Sequence, residues 1–170
     1  MKRSFMFICA AALLLTGCGA SADEASAQLF AMDTVMQLDA YGHQVKQAVS
    51  DAEETIQALE ARLSRTREDS LVSVLNQNGA AQDLSAEEQA LLSEALTFRD
   101  ATGGAFDITI APVMDAWGFT GDSYRVPAQD ELDALLENVN SDEIRLSGSS
   151  VTLGAGQAID LGGIAKGYAS

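Results

Sequence analysis

The sequence predicts an α+β fold, with helices packed beside mixed antiparallel strands. Three observations carry that expectation. A strand-like alternation comes first, helical stretches follow, and two short alternating runs near the end flank a Ser-Gly-Ser-Ser turn. Helices and strands therefore occur in mixed order, which argues against a doubly wound parallel sheet.

Met32, Thr34, Met36, Leu38 and Ala40 alternate with Asp33, Val35, Gln37 and Asp39, so a half-buried strand is expected up to Tyr41-Gly42. Val45, Val49, Ala52, Ile56, Leu59 and Leu63 then recur at steps of four and three, the stripe of an amphipathic helix with an acidic opposite face. Ser64 to Asp69 is turn-like, and Ser70 to Asn76 predicts a short helix ending near Asn78-Gly79. Ser85 with Glu88 three residues on is a capping-box pattern opening a second long helix. Leu91, Leu92, Ala95 and Phe98 are its expected buried stripe, and Gly103-Gly104 its stop. Pro127 suits the first turn of a third helix through Leu132, Leu135 and Leu136. Glu143 to Leu146 and Val151 to Leu153 predict a hairpin, and Ala158 to Leu161 a further strand.

The front end reads as an address. Lys2 and Arg3 precede an apolar run from Phe5 to Leu15, too short to span a bilayer comfortably, closed by Leu15-Thr16-Gly17-Cys18. That pattern predicts a lipoprotein signal over residues 1–17, with Cys18 acylated and the protein held outside the cytoplasm on a bacterial membrane. Residues 18–28 are small and polar and read as a tether, leaving 29–170 as the folded part. Cys9 lies in the leader, so the mature chain is expected to contain no disulfide.

Without Lys2 and Arg3 the chain keeps eight basic against twenty-five acidic residues, and the formal balance deepens from −15 to −17. A polybasic nucleic-acid footprint is absent. His43 is the single histidine, which excludes a catalytic triad or a histidine-based zinc site within this chain. Neither a Walker A loop nor a dinucleotide G-x-G-x-x-G pattern is present.

Two stretches carry the chemistry. In Gly103-Gly104-Ala105-Phe106-Asp107-Ile108, paired glycines allow a tight turn before a carboxylate flanked by apolar residues. Such a carboxylate is costly to bury alone, so Asp107 should meet a ligand, a backbone donor or a cation. Trp117 is expected to anchor the core. In Ile159-Asp160-Leu161-Gly162-Gly163-Ile164-Ala165-Lys166, Asp160 is either a helix cap or a ligand contact. Lys166 lies in the first turn after the glycines, where a phosphate-bearing ligand would find main-chain N–H groups and a cation. An acidic protein that handles such a ligand needs local neutralisation, for which a divalent metal is the usual means. The segment stops where a helix should dock on a sheet, so the protein is expected to continue past Ser170.

These segments together resemble the ApbE family, the bacterial FAD:protein FMN transferases. The matching pieces are Ala31-Met32-Asp33-Thr34-Val35-Met36, Leu63-Ser64-Arg65 through Asp69-Ser70 to Leu75-Asn76, Gly104-Ala105-Phe106-Asp107 with Pro112, Trp117-Gly118-Phe119, and Ile159 to Ala169. The resemblance implies a T-fold-like α+β architecture that binds FAD with magnesium. It further implies transfer of FMN to a Thr or Ser hydroxyl of an exported flavoprotein, with release of AMP. By position, Met32, Ala105, Phe106, Asp107, Asp160 and Lys166 should contact FAD, and the Gly163 carbonyl should help to hold magnesium. No catalytic residue is implied. Some members carry a tyrosine near the flavin where this chain has Thr66, so that contact is not carried over. The resemblance covers the amino-terminal part of the family pattern, and the chain alone is expected to be inactive. An FAD pyrophosphatase yielding FMN and AMP, and a non-enzymatic flavin-binding lipoprotein, are the competing readings.

Overall fold

The computed structural model describes residues 23–121 and 123–170; Cys18 and the expected leader lie outside them. Strands β1 (Glu24–Ala31) and β2 (Thr34–Tyr41) form a hairpin, followed by helix α1 (Val45–Leu63) and helix α2 (Leu71–Asn78). Strand β3 (Ala80–Ala81), helices α3 (Ala86–Ala101), α4 (Ala111–Trp117) and α5 (Gln129–Leu136), strands β4 (Arg145–Ser147) and β5 (Ser150–Thr152), and helix α6 (Gly162–Tyr168) complete the order. The α+β expectation is met.

The described chain divides into two compact units. In the first, residues 23–28 and Gln37–Ala52, side chains ladder across the open end of the hairpin. Ser26 Oγ donates to Asp39 at 2.7 Å and Gln28 Nε2 to Gln37 at 2.7 Å. Val45 and Val49 are buried, as the stripe predicted.

The second unit, Leu29–Met36 and Glu53–Ser170, holds the candidate site. Its core gathers Leu63, Val72, Leu75, Leu91, Leu92, Ile108, Val151, Ile159 and Leu161. Each fully buried leucine or isoleucine there stabilises the fold by about 1.5–3 kcal/mol. Local signals place the helices. Ser70 caps α2 by accepting from Ser73 N, and Gly79 closes it in the left-handed region. The capping box forms as expected: Ser85 accepts from Glu88 N while Glu88 accepts from Ser85 N, worth about 1 kcal/mol. Strand β5 lies between β3 and β4, antiparallel to both, with Val151 opposite Ala81 and Leu146.

Several expectations need correction. The first strand is the second arm of a hairpin. Met32 and Asp33 form its turn, both at positive φ (51° and 57°), and β1 begins at Glu24, inside the stretch read as tether. Glu24 to Gln28 carries little apolar signal; pairing with β2, not composition, makes it a strand. Phe98 is 47% exposed, so the α3 stripe ends at Ala95. Helix α5 starts at Gln129, two residues past a buried Pro127, and buries none of its side chains fully. Trp117 is not a core anchor: half-buried, it stacks on the exposed Phe119 at 5.9 Å between centroids.

The expected strand at Ala158 to Leu161 does not form: the segment pairs with no strand among the described residues. Asn76 takes the place of a neighbour, its Oδ1 accepting from Ile159 N at 2.7 Å and its Nδ2 donating to Ile159 O at 2.9 Å. Asp160 N donates to Ile108 O at 2.7 Å. Both main-chain groups of Ile159 and the N–H of Asp160 are thus satisfied by one side chain and one 3-10 turn, without a strand ladder.

Candidate functional site

Two loops meet at the rim of the second unit. The first leaves α3 through Gly103 and Gly104, both left-handed (φ 61° and 83°), a conformation that other residues adopt only at a cost. The chain then passes the exposed Ala105 to Phe106, whose N–H donates to Thr102 Oγ1 at 3.0 Å and whose ring meets Phe98 edge-on at 6.4 Å. The second loop is Asp160 to Gly163. A Cβ at Gly163 would lie 3.0 Å from Phe106 Cε2, so glycine there lets α6 open directly against that ring. The Asp160 backbone bond to Ile108 fastens the same junction.

Asp107 caps the 3-10 turn at Ile108–Ile110 and ties it to the Asn140–Ser141 stretch. Its Oδ1 accepts from Thr109 N (2.8 Å), Thr109 Oγ1 (2.6 Å) and Ser141 Oγ (2.5 Å), and its Oδ2 from Ser141 N (3.0 Å). Arg99 Nε stands 4.0 Å off, and the side chain is 8% exposed. Burial pushes its pKa up, but the hydrogen bonds from Ser141 and Thr109 together outweigh burial and hold the carboxyl below its ordinary value. Of the options its sequence context left open, Asp107 takes internal donors.

Asp160 is bound differently. Its Oδ1 accepts from Gly162 N at 2.7 Å, and its Oδ2 pairs with Arg65 at 2.9 Å. Arg65 extends its other terminal nitrogen to Asp115 at 2.7 Å, and Asp115 also accepts from Thr120 Oγ1. Lys166 lies one helical turn beyond Gly163, exposed and with no ion pair among the described residues. Met32 is half-buried in the hairpin turn, where its N–H donates to Glu60 Oε1 at 3.0 Å. Met32, Phe106 and Ile164 rest against the same buried cluster.

The structure thus brings Ala105-Phe106-Asp107 together with Asp160 and Gly163, places Lys166 on the adjoining turn, and links Met32 to them through the core. Arg65 and Asn76 lie in segments that carry the family resemblance but, like Asp115, were assigned no site role from the sequence. Arg65 shares its polar turn with Arg67, and nothing in the pattern singled it out from that neighbour.

Residues 32–170 match the ApbE family. The chain belongs to the ApbE family. It is 26% identical over 176 residues to the FAD:protein FMN transferase of Vibrio cholerae, covering 98% of this chain and 52% of that protein. It is 31% identical over 129 residues to the Haemophilus influenzae FAD:protein FMN transferase, covering 69% of this chain and 37% of that one. The ApbE protein of Thermotoga maritima superposes with a TM-score of 0.81 at 28% identity, over 86% of this chain and 50% of that structure. Apo flavinyl transferase ApbE from Pseudomonas stutzeri shares the fold, with a TM-score of 0.77 at 20% identity over 87% and 50% of the two chains. This chain spans about half the length of the Vibrio relative.

A free lysine, a backbone turn without side-chain bulk and an aromatic ring are apt partners for an anionic dinucleotide. Magnesium requires near-octahedral oxygen ligation. Among the described residues no group of three or more His, Cys, Asp or Glu could hold a metal ion. One carbonyl at Gly163 does not by itself supply that ligation.

Proposed function

We propose that this chain supplies the FAD-recognising part of an FAD:protein FMN transferase. In that reaction the hydroxyl oxygen of an acceptor Thr or Ser bonds to the FMN phosphorus. The phosphoanhydride bond breaks, AMP leaves and the hydroxyl proton is lost. The acceptor is an exported flavoprotein. One observation carries the reading: the family match runs through both loops, and the fold seats those loops against each other at Phe106 and Gly163. Lys166 faces the pyrophosphate, Phe106 and Met32 offer apolar surface, and Asp160 contributes polar recognition. Asp107 acts by fixing the turn that presents Ala105 and Phe106, since its own oxygens are engaged. The magnesium requirement belongs to the same proposal and rests on the resemblance.

The test incubates the native protein with FAD, magnesium and a threonine-containing acceptor peptide. Covalent flavin on the peptide with stoichiometric AMP, abolished by chelator, is the expected outcome. FMN and AMP with an unmodified peptide would identify a pyrophosphatase, and intact bound FAD a binding protein. Absence of FAD binding would sink all three readings.

We also propose that Cys18 is acylated and tethers the protein outside the cytoplasm. Among the described residues no helix is long and apolar enough to cross a membrane. Mass spectrometry should find acyl chains on Cys18 of the wild-type protein and an unprocessed leader in Cys18→Ala. A wild-type protein free of acyl chains would refute the anchor.

A further inference from the structure

We propose that Arg65 is a positioning residue of this site, holding the Asp160 carboxylate in the one orientation that keeps the opening of α6 in place. The proposal rests on the FAD reading above for its consequence, but its structural half can be tested without ligand.

Arg65 sits in the polar turn between α1 and α2, yet its side chain is 13% exposed. Its terminal nitrogens separate two carboxylates on different elements: Asp160 at 2.9 Å, beside α6, and Asp115 at 2.7 Å, within α4. Its Nε is buried with no hydrogen-bond partner among the described residues. A buried, unpaired N–H is rarely kept unless the rest of the group is needed where it lies. The two arms are not equal. Asp160 is 16% exposed and Asp115 52%. Exposed ion pairs contribute little, and shielding from water strengthens the attraction, so the Asp160 arm dominates.

The consequence lies in how Asp160 spends its oxygens. With Oδ2 fixed by Arg65, Oδ1 is directed at Gly162 N, 2.7 Å away. Gly162 is followed by Gly163, packed on Phe106. Removing the guanidinium frees the carboxylate to rotate and loosens the Gly162 anchor, leaving the remaining contacts intact. Lysine keeps the charge but lacks the planar fork that reaches two carboxylates at once. It should restore part of the effect.

Two readouts test this in the native protein. Without ligand, Arg65→Ala should speed hydrogen exchange at the Gly162 amide, with Arg65→Lys intermediate, while amides of α3 keep their protection. With FAD as the probe, Arg65→Ala should weaken binding by about tenfold, the scale of one hydrogen bond to a charged group. Arg65→Lys should weaken it less, and Asp115→Asn least. Added to Asp160→Ala, Arg65→Ala should weaken binding no further, because it acts through that carboxylate. Unchanged Gly162 exchange in Arg65→Ala, or fully additive losses in the double variant, would overturn the proposal. If wild-type protein binds no FAD, the functional reading fails, and the exchange result alone decides whether Arg65 positions Asp160.

Discussion

Asp107 and Asp160 stand in like settings in the sequence, each between apolar residues and close to paired glycines. Folding separates their roles. Asp107 is 8% exposed and receives four hydrogen bonds from two neutral residues, Thr109 and Ser141. Asp160 receives one neutral bond, from Gly162, and meets a full positive charge on Arg65. The first carboxylate is a knot within the fold. The second is a hinge point, held by a residue that could let it go. Apolar neighbours in sequence reveal that a carboxylate needs a partner, but not whether the partner is a dipole or an ion.

Breaking the knot should have the largest effect. Asp107→Ala strands the buried donors of Thr109 and Ser141, and chemical denaturation should show a loss of about 3 kcal/mol. The acid limb provides a second check. Because the folded-state pKa is lowered, the stabilisation is complete above the unfolded value, near pH 4, and is lost as pH falls through the lower folded value. Wild-type stability should therefore fall more steeply below about pH 4 than that of Asp107→Ala. Parallel curves would show that Asp107 is not the titrating group.

Asn76→Ala should come next, because it frees both main-chain groups of Ile159, a residue only 1% exposed. Two lost bonds to a buried backbone imply about 2 kcal/mol. Since Ile159 precedes Asp160, this variant should also disturb the hinge and leave the knot untouched. Hydrogen exchange that quickens at Ile159 and Gly162 but not at Thr109 would bear this out; uniform quickening would refute it.

The same contrast explains which parts of the fold were legible. Ser70, Gly79, Ser85 and Glu88 act on groups within a few residues, so their spacing announced three helix ends correctly. The strand expected at Ala158 to Leu161 failed because its partner is the Asn76 side chain, which no alternation pattern encodes. β1 went unseen over Glu24 to Gln28 because its partner strand, not its composition, organises it. Of the site, the two glycine-rich loops were legible. Their meeting at Phe106 and Gly163 is tertiary and was not. Arg65 was invisible as a connector because Asp115 and Asp160 lie far along the chain.

The smallest effect should separate the two aspartates most sharply. Asp160→Asn keeps an oxygen for Gly162 N but turns an amide toward Arg65, so the ion pair is lost while the Gly162 bond survives. Arg65 retains Asp115, so its charge is not orphaned, and the loss should be about 1.5 kcal/mol, the scale of one hydrogen bond to a charged group. Asp107→Asn should cost more, because an amide cannot accept on both sides and its NH2 group would oppose Ser141 N. Salt provides the discriminating measurement. Raising ionic strength to about 1 M shortens the screening length to roughly 3 Å, which weakens an ion pair, less so one shielded like this one, and leaves bonds from neutral hydroxyl and amide donors unchanged. The stability gap between wild type and Asp160→Asn should therefore narrow in high salt, and the gap for Asp107→Asn, whose nearest cation is Arg99 Nε at 4.0 Å, should narrow less. If both gaps respond alike, the two carboxylates do the same work and the distinction between knot and hinge is wrong.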